Sequence, residues 1–165
     1  MMNIESKLIV ITVHKGHLKD LIKTLKSIDS QILKPKLSLV VARNISLYEI
    51  KLFRNTKRIF IINKDKSIYN AMNTALSYRN ISNYSLLFLN SGDTLFDKKT
   101  IYNINKYLQL RCPIIGKQVL RIKNHFFKIK NHYLKKETYL PHGAFIMPRS
   151  KTKNFLSKSF FFREK

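Results

Sequence analysis

The sequence contains very little cysteine, and this excludes two common ways of stabilising a small domain. Cys112 is the only cysteine among 165 residues. An intramolecular disulfide is therefore excluded, and so is a zinc site built on cysteine ligands. A lone thiol fits a reducing, cytoplasmic setting.

Long apolar runs are absent as well. The first apolar run covers residues 8–13, which is too short for the core of a signal peptide and far too short to span a bilayer. No other segment approaches the length of a membrane span. The sequence therefore predicts a cytoplasmic protein whose contact with a membrane is at most peripheral, at the inner face.

Acidic residues are scarce. Nine Asp and Glu against 32 Lys and Arg give a net charge of +23, which favours nucleic acid, an acidic membrane surface or a phosphorylated substrate as partner. The basic residues are scattered, and the shortage of Gly and Pro with no Trp is the pattern of an AT-rich genome, which is the favoured explanation of the charge. No RNP, zinc-finger or helix-turn-helix motif is present, so nucleic acid is the least favoured partner.

The sequence is rich in short apolar runs that alternate with helical patterns. Runs at residues 8–13, 37–42, 59–62 and 86–89 predict buried strands, and the spacing of apolar residues over 18–28, 68–76 and 100–110 predicts amphipathic helices. A short helix is predicted over 47–53. Strands separated by helices imply a parallel sheet. After Pro113 the pattern is less regular, with short strands and a hairpin turning near residues 123–124.

Polar residues follow several of these strands. Thr12 lies near the end of the first predicted strand and His14 directly follows it, Asp65 lies beyond the third, and residues 90–93 follow the fourth. Ligands of open α/β sheets bind beyond the carboxyl ends of the strands. The sequence therefore predicts a binding site at this edge, with Thr12 and His14 among the residues that bind substrate.

Two motifs resemble the nucleotide-sugar site of family 2 glycosyltransferases of the polysaccharide-biosynthesis type. Residues 65–73 read DKSIYNAMN, and residues 90–93 read NSGD directly after an apolar strand. The family form of the first motif has Gly where Ser67 stands and Asp where Asn70 stands. The second resembles the family's variant of the Asp-x-Asp metal motif. A third segment, Pro141 to Ile146, resembles a family segment that contains a His, here His142.

The resemblance implies a GT-A-like three-layer α/β domain with a mostly parallel central sheet and a less regular C-terminal part. It also implies a nucleoside-diphosphate sugar as donor, a UDP-sugar by preference, and a saccharide or lipid-linked acceptor in surface-polysaccharide synthesis. Asp93 would hold Mg²⁺ or Mn²⁺, since an ion bridging a diphosphate needs few protein carboxylates. The substrate-binding residues it implies are Asp65, Asn70, Asn73, Asn90, Ser91 and His142.

Each of these residues also has a structural interpretation. The sequence NSGD taken alone is a turn that caps the following segment, and Asp65 can oppose the positive end of a helix dipole. A single His in a loop, as at position 142, says little by itself. The metal-site hypothesis rests on the two motifs occurring together.

The sequence departs from the family pattern in two regions. The second strand runs into Ala42-Arg43-Asn44, where the family has an Asp that holds the nucleotide. The acidic motif that supplies the family's general base beyond the His segment is missing, and Glu164 lies too close to Lys165 to replace it. Asp97 and Glu137 are the remaining nearby acids, of which Asp97 is expected to cap the following helix. We therefore expect one domain over 1–165, with a nucleotide-sugar-binding half (1–110) and a truncated acceptor-side half (111–165). A truncated, inactive relative that keeps the fold is the alternative.

Overall fold

The computed structural model describes residues 5–53, 57–64, 67–78, 81, 83–110, 112–122, 125–129 and 145–148. Two of the predicted site residues, Asp65 and His142, lie outside these ranges. Within the part of the chain that is described, no helix combines the length and the apolar character needed to cross a membrane.

The first two thirds of the chain alternate strands and helices, and short strands follow. The elements in chain order are β1 Leu8–His14, α1 Leu18–Asp29, β2 Leu37–Ala42, α2 Leu47–Lys51, β3 Arg58–Ile62, α3 Ile68–Leu76, β4 Ser85–Phe88, α4 Thr100–Tyr107 with a 3₁₀ turn Leu108–Leu110, β5 Ile114–Ile115, β6 Gln118–Ile122, β7 His125–Ile129 and β8 Phe145–Met147.

The main sheet has six strands in the order β3-β2-β1-β4-β8-β5. Strands β1 to β4 pair in parallel, with Ile11 opposite Leu39 on one side and opposite Phe88 on the other. Strand β8 runs antiparallel to both β4 and β5, and β6 and β7 form a separate antiparallel pair. The predicted α/β fold with a mostly parallel sheet and a less regular C-terminal part is confirmed.

Strand β1 lies at the centre and is buried on both faces. Ile9, Ile11 and Val13 belong to the apolar cluster that includes Met72 of α3. Leu8 and Val10 belong to the cluster that includes Leu21 of α1. This is why the run is continuously apolar instead of alternating. Burying each of these side chains contributes about 1.5–3 kcal/mol to folding.

Candidate functional site

The carboxyl ends of the parallel strands are held in register at one edge of the sheet. Backbone pairing continues past the strand ends, since the N–H of Arg43 donates to the carbonyl of His14 at 2.9 Å and the N–H of Asn63 donates to that of Ala42 at 2.9 Å. The N–H of Ser91 likewise donates to the carbonyl of Val13 at 2.9 Å. The loops after β1, β2, β3 and β4 therefore start side by side.

Residues 90–93 form a tight turn directly after β4. The N–H of Asp93 donates to the carbonyl of Asn90 at 3.0 Å. Gly92 has φ of +101°, a backbone conformation that side-chain-bearing residues rarely adopt. The glycine of the NSGD motif is therefore needed for the turn, whatever ligand the turn binds.

A buried hydroxyl on α1 fixes this turn. Thr24 is fully buried, and its Oγ1 accepts from the N–H of Gly92 at 2.9 Å and donates to the carbonyl of Asp93 at 2.7 Å. The hydroxyl thus supplies a hydrogen-bond partner to two backbone groups of a partly buried turn. Thr24 therefore sets where the backbone of Asp93 lies.

Two further polar side chains, one on α1 and one just beyond its end, hold the loop that follows. Ser27 accepts from the N–H of Leu95 at 3.2 Å. Gln31 is 1% exposed, donates to the carbonyl of Asp97 at 2.6 Å and accepts from the N–H of Ile101 at 2.9 Å. Thr24 and Ser27 lie on α1, and Gln31 lies two residues beyond its last residue, Asp29. Sequence reasoning missed all three, because polar residues on an amphipathic helix are normally taken as the solvent face.

His14 connects β1 to the same turn. Its Nδ1 lies 2.9 Å from Ser91 Oγ, and the residue is 3% exposed. Burial lowers the pKa of His14, and the charges of Glu49 and Asp20 oppose this shift to a smaller extent. The imidazole is therefore neutral at neutral pH, and a neutral ring can exchange a hydrogen bond in either direction with the hydroxyl.

The turn offers oxygen atoms of the type that hard divalent cations prefer. Asp93 is exposed as a whole residue, but its carboxyl group is partly shielded from solvent. This desolvation raises the pKa of Asp93, and the charge of Lys23 opposes the shift. Asn90 Oδ1 is buried without a hydrogen-bond partner among the described residues, as is Thr12 Oγ1. Carboxylate and amide oxygens fit Mg²⁺ or Mn²⁺.

The protein by itself would complete only part of the coordination of such an ion. Across the described ranges, no group of three or more His, Cys, Asp or Glu residues could hold a metal ion. An ion at Asp93 and Asn90 would therefore take its remaining ligands from phosphate and water, as Mg²⁺ commonly does at phosphorylated substrates.

A pocket opens on the other side of β1, between the ends of β1 to β3 and the start of α3. Its floor is apolar and its rim polar, the rim including Lys15 and Arg43. The lining residues are Val13, Lys15, Val41, Ala42, Arg43, Asn63, Ser67, Ile68 and Ala71. An apolar floor with a few polar groups at the rim is typical of a small-molecule site.

Helix α3 borders this pocket with its first turn. Ser67 is the N-cap, and its Oγ accepts from the N–H of Tyr69 at 3.1 Å and from that of Asn70 at 3.4 Å. Met72 is fully buried. Asn70 is exposed and Asn73 half-buried, and neither is among the residues that line the pocket. The structure thus gathers Thr12, His14, Asn90, Ser91 and Asp93 at one edge, while Asn70 and Asn73 lie further along α3.

This chain resembles known proteins in its fold, and the sequence comparisons find no match. No protein-family model matches the sequence, and no curated protein matches it. Residues 1–349 of S. aureus TarS superpose with a TM-score of 0.65 at 16% identity, over 95% of this chain and 50% of that one. The same TarS fragment has been solved in complex with UDP and with UDP-GlcNAc. The chain thus spans about half the length of the TarS fragment.

Two other solved structures share the fold. The mannosyltransferase PcManGT from Pyrobaculum calidifontis, in complex with GDP-Man and Mn²⁺, gives a TM-score of 0.54 at 16% identity over 70% of this chain and 35% of that one. A 4-diphosphocytidyl-2C-methyl-D-erythritol synthase gives a TM-score of 0.60 at 7% identity, over 94% of this chain and 81% of that one. At these identities the likeness is one of fold, and the fold is the GT-A-like α/β architecture of these glycosyltransferases.

Proposed function

We propose that the chain is a glycosyltransferase domain that moves a sugar from a nucleoside-diphosphate sugar to an acceptor hydroxyl. The observation that carries the proposal is the edge of the sheet where Asp93 and Asn90 lie on one side of β1 and the pocket on the other. The neighbours of the same fold that bind UDP-GlcNAc or GDP-Man and Mn²⁺ support it.

In this proposal the residues of the turn bind the diphosphate end of the donor. Asp93 and Asn90 would hold Mg²⁺ or Mn²⁺, and the ion would supply positive charge to neutralise the departing diphosphate. His14, through Ser91, and Thr24 keep the turn in place. The bond between the anomeric carbon and the diphosphate oxygen breaks, and the acceptor oxygen forms the new bond as its proton passes to a base.

The base itself is not assigned. Asp97 Oδ1 accepts from the N–H of Lys99 at 2.8 Å and from Thr100 Oγ1 at 3.0 Å, so this carboxylate organises the start of α4. Glu137 and Glu164 lie outside the described residues. The inactive relative named above thus remains the competing function, and a turnover measurement decides between the two.

The finer parts of the proposal follow the resemblance found in the sequence. We propose a saccharide or lipid-linked acceptor in surface-polysaccharide synthesis, with the reaction in the cytoplasm or at the inner face of the membrane. The net charge of +23 supports contact with an acidic lipid surface. The single domain over 1–165 and the uridine base stay predictions, as do the ligand roles of Asp65 and His142.

The proposal is tested by calorimetric titration of the full chain with UDP, GDP and CDP, each with Mn²⁺ or with EDTA. We expect at least one nucleotide to bind in a Mn²⁺-dependent way, and Asp93→Asn to weaken that binding more than about tenfold, since even groups supporting a metal ligand matter to that extent. Glu5→Gln, which changes an exposed acid paired with Lys36, is the matched control and should bind normally.

Two outcomes would count against the proposal in different ways. If no nucleoside diphosphate binds with or without Mn²⁺, the proposed function is wrong. If nucleotides bind but neither hydrolysis nor transfer of UDP-GlcNAc, GDP-Man or other nucleotide sugars occurs, the inactive relative is the better description.

A further inference from the structure

The side chains of two cationic residues, Arg43 and Lys15, line the pocket beside β1. The backbone of Arg43 is fixed at the sheet edge by its hydrogen bond to His14, and its side chain is half-buried. Among the described residues, neither Arg43 nor Lys15 has a hydrogen bond or ion pair from its side chain. Both line the pocket, so a bound ligand is the natural partner for them.

The floor of the pocket is formed by apolar side chains. Val41 and Ala42 are almost completely buried, and Ile68 and Ala71 close the pocket from α3. The strand order places β1 between this pocket and the Asp93 turn that follows β4. If the diphosphate lies at Asp93, as the proposed function has it, the nucleobase is the part of the donor that reaches the pocket.

A guanidinium selects among bases by the pattern of their hydrogen-bonding edges. Arginine has five N–H donors in a planar fork and no acceptor. The fork fits two adjacent acceptors, as in its bidentate contact with guanine O6 and N7. Cytosine offers O2 and N3 as a similar pair. In uracil the atom between the two carbonyls is N3–H, a donor, so the fork meets only separated acceptors.

We propose that Arg43 is a specificity-determining residue that makes the pocket select a guanine or cytosine nucleotide over a uracil nucleotide. The inference rests on the proposed function and departs from the uridine base that the family resemblance implies. Arg43 stands where the family has a carboxylate, and a carboxylate can accept from the N3–H of uracil. A carboxylate at this position would accept a hydrogen bond from uracil, whereas the Arg43 guanidinium donates hydrogen bonds to the acceptors of guanine or cytosine.

The test is the order of affinities of GDP, CDP, UDP and ADP for the full chain at fixed Mn²⁺ and salt. We expect GDP or CDP to bind about tenfold more tightly than UDP, the scale of one bidentate base contact. ADP should also bind weakly, because adenine pairs its N7 acceptor with an N6 donor. The comparison of GDP with CDP then identifies which of the two bases is used.

Two variants of Arg43 separate base recognition from simple charge. Arg43→Asp should bring UDP to at least equal affinity with GDP and CDP. Arg43→Lys keeps the charge without the fork, so it should remove the base preference while leaving UDP affinity within about twofold. Lys51→Gln removes an exposed charge on α2 and should leave the affinity order unchanged. Thermal unfolding of each variant confirms that it is folded.

The inference would be overturned by wild-type protein that binds UDP most tightly, or by an Arg43→Gln variant that loses the same factor of affinity for all four nucleotides. The second result would mean that Arg43 contacts the diphosphate. Either result leaves the proposed function standing, because nucleotides still bind. Failure of every nucleotide to bind removes both.

Discussion

At the scale of single residues, burial changes the chemistry of His14. The imidazole lies under the Asn90–Asp93 turn, with 3% of its surface exposed and with Ser91 Oγ 2.9 Å from Nδ1. Desolvation lowers the pKa of His14. Because its cationic form is disfavoured in the folded protein, the protonation of this one residue is linked to folding.

We predict that His14 makes the protein less stable in mild acid. Below pH 6.5, the ordinary pKa of histidine, the unfolded chain takes up a proton that the folded chain does not. The free energy of unfolding therefore falls as pH drops from about 6.5 to the lowered pKa of the folded state, and this contribution is fully present above about pH 6.5. Urea unfolding of wild type and His14→Gln between pH 8 and pH 5 measures it.

The matched control for that experiment is His17→Gln, because His17 is exposed. We expect this variant to keep the acid-dependent loss of stability that His14→Gln reduces. Equal pH dependence in wild type and His14→Gln would show that His14 does not contribute to it.

At the scale of elements, α1 serves two purposes with two faces. Its apolar face packs on β1, and Thr24 and Ser27, together with Gln31 just beyond the end of the helix, bind the backbone of the loop between β4 and α4. The loop that carries Asp93 is thereby attached to a helix packed on the central strand instead of being held by its own turn alone. The position of the candidate metal ligand therefore depends on α1.

We predict that Thr24→Val lowers stability by about 1–3 kcal/mol, because it leaves the Gly92 N–H without its partner. If Thr24 positions Asp93, the variant also weakens Mn²⁺-dependent nucleotide binding by about tenfold and leaves binding in EDTA nearly unchanged. Thr24→Ser, which keeps the hydroxyl, should have nearly wild-type stability and nearly wild-type Mn²⁺-dependent nucleotide binding. Equal loss with and without Mn²⁺ would assign Thr24 a purely structural role.

The cap of α3 gives a second prediction at this scale. Ser67 stands where the family motif has Gly, and its side chain accepts from two N–H groups of the first turn. Ser67→Ala should lower the free energy of unfolding by about 1 kcal/mol, as measured in urea. Ser67→Asn, also a good cap, should lie close to wild type. An unchanged free energy of unfolding in Ser67→Ala would mean that water replaces the cap without loss of stability.

At the scale of the whole molecule, the net charge of +23 and the candidate site favour binding of different kinds. The charge acts on any polyanion and is screened within about 8 Å at physiological salt. Binding at the sheet edge uses a few groups at fixed positions. Salt dependence therefore distinguishes the two modes of binding.

We predict that affinity for duplex DNA, if measurable, falls by about a thousandfold or more between 50 and 200 mM salt and is indifferent to sequence. Mn²⁺-dependent nucleotide binding should change far less over the same range. Fluorescence anisotropy with labelled DNA and titration with the nucleotide measure the two. Salt-resistant DNA binding that is tighter than nucleotide binding would favour a nucleic-acid-binding protein instead.

Much of the architecture could be predicted because the information is local. Strands β1 to β4 and helices α1, α3 and α4 were predicted within one to three residues of their observed bounds, from apolar runs and helical spacing. The antiparallel insertion of β8 between β4 and β5 could not be predicted. Periodicity indicates what a segment forms, whereas strand order depends on pairing between segments that are distant in the chain.

By itself, the sequence determined the parallel α/β architecture, the Gly92 turn and the candidate residues at the sheet edge, because each depends on residue type and short-range spacing. Only the tertiary structure decided that Thr24 binds the backbone of Asp93, 69 positions away, that His14 is buried against Ser91, and that Arg43 lines a pocket with no partner for its side chain among the described residues. These features arise when packing brings distant residues together, and burial then determines which polar groups must find a partner.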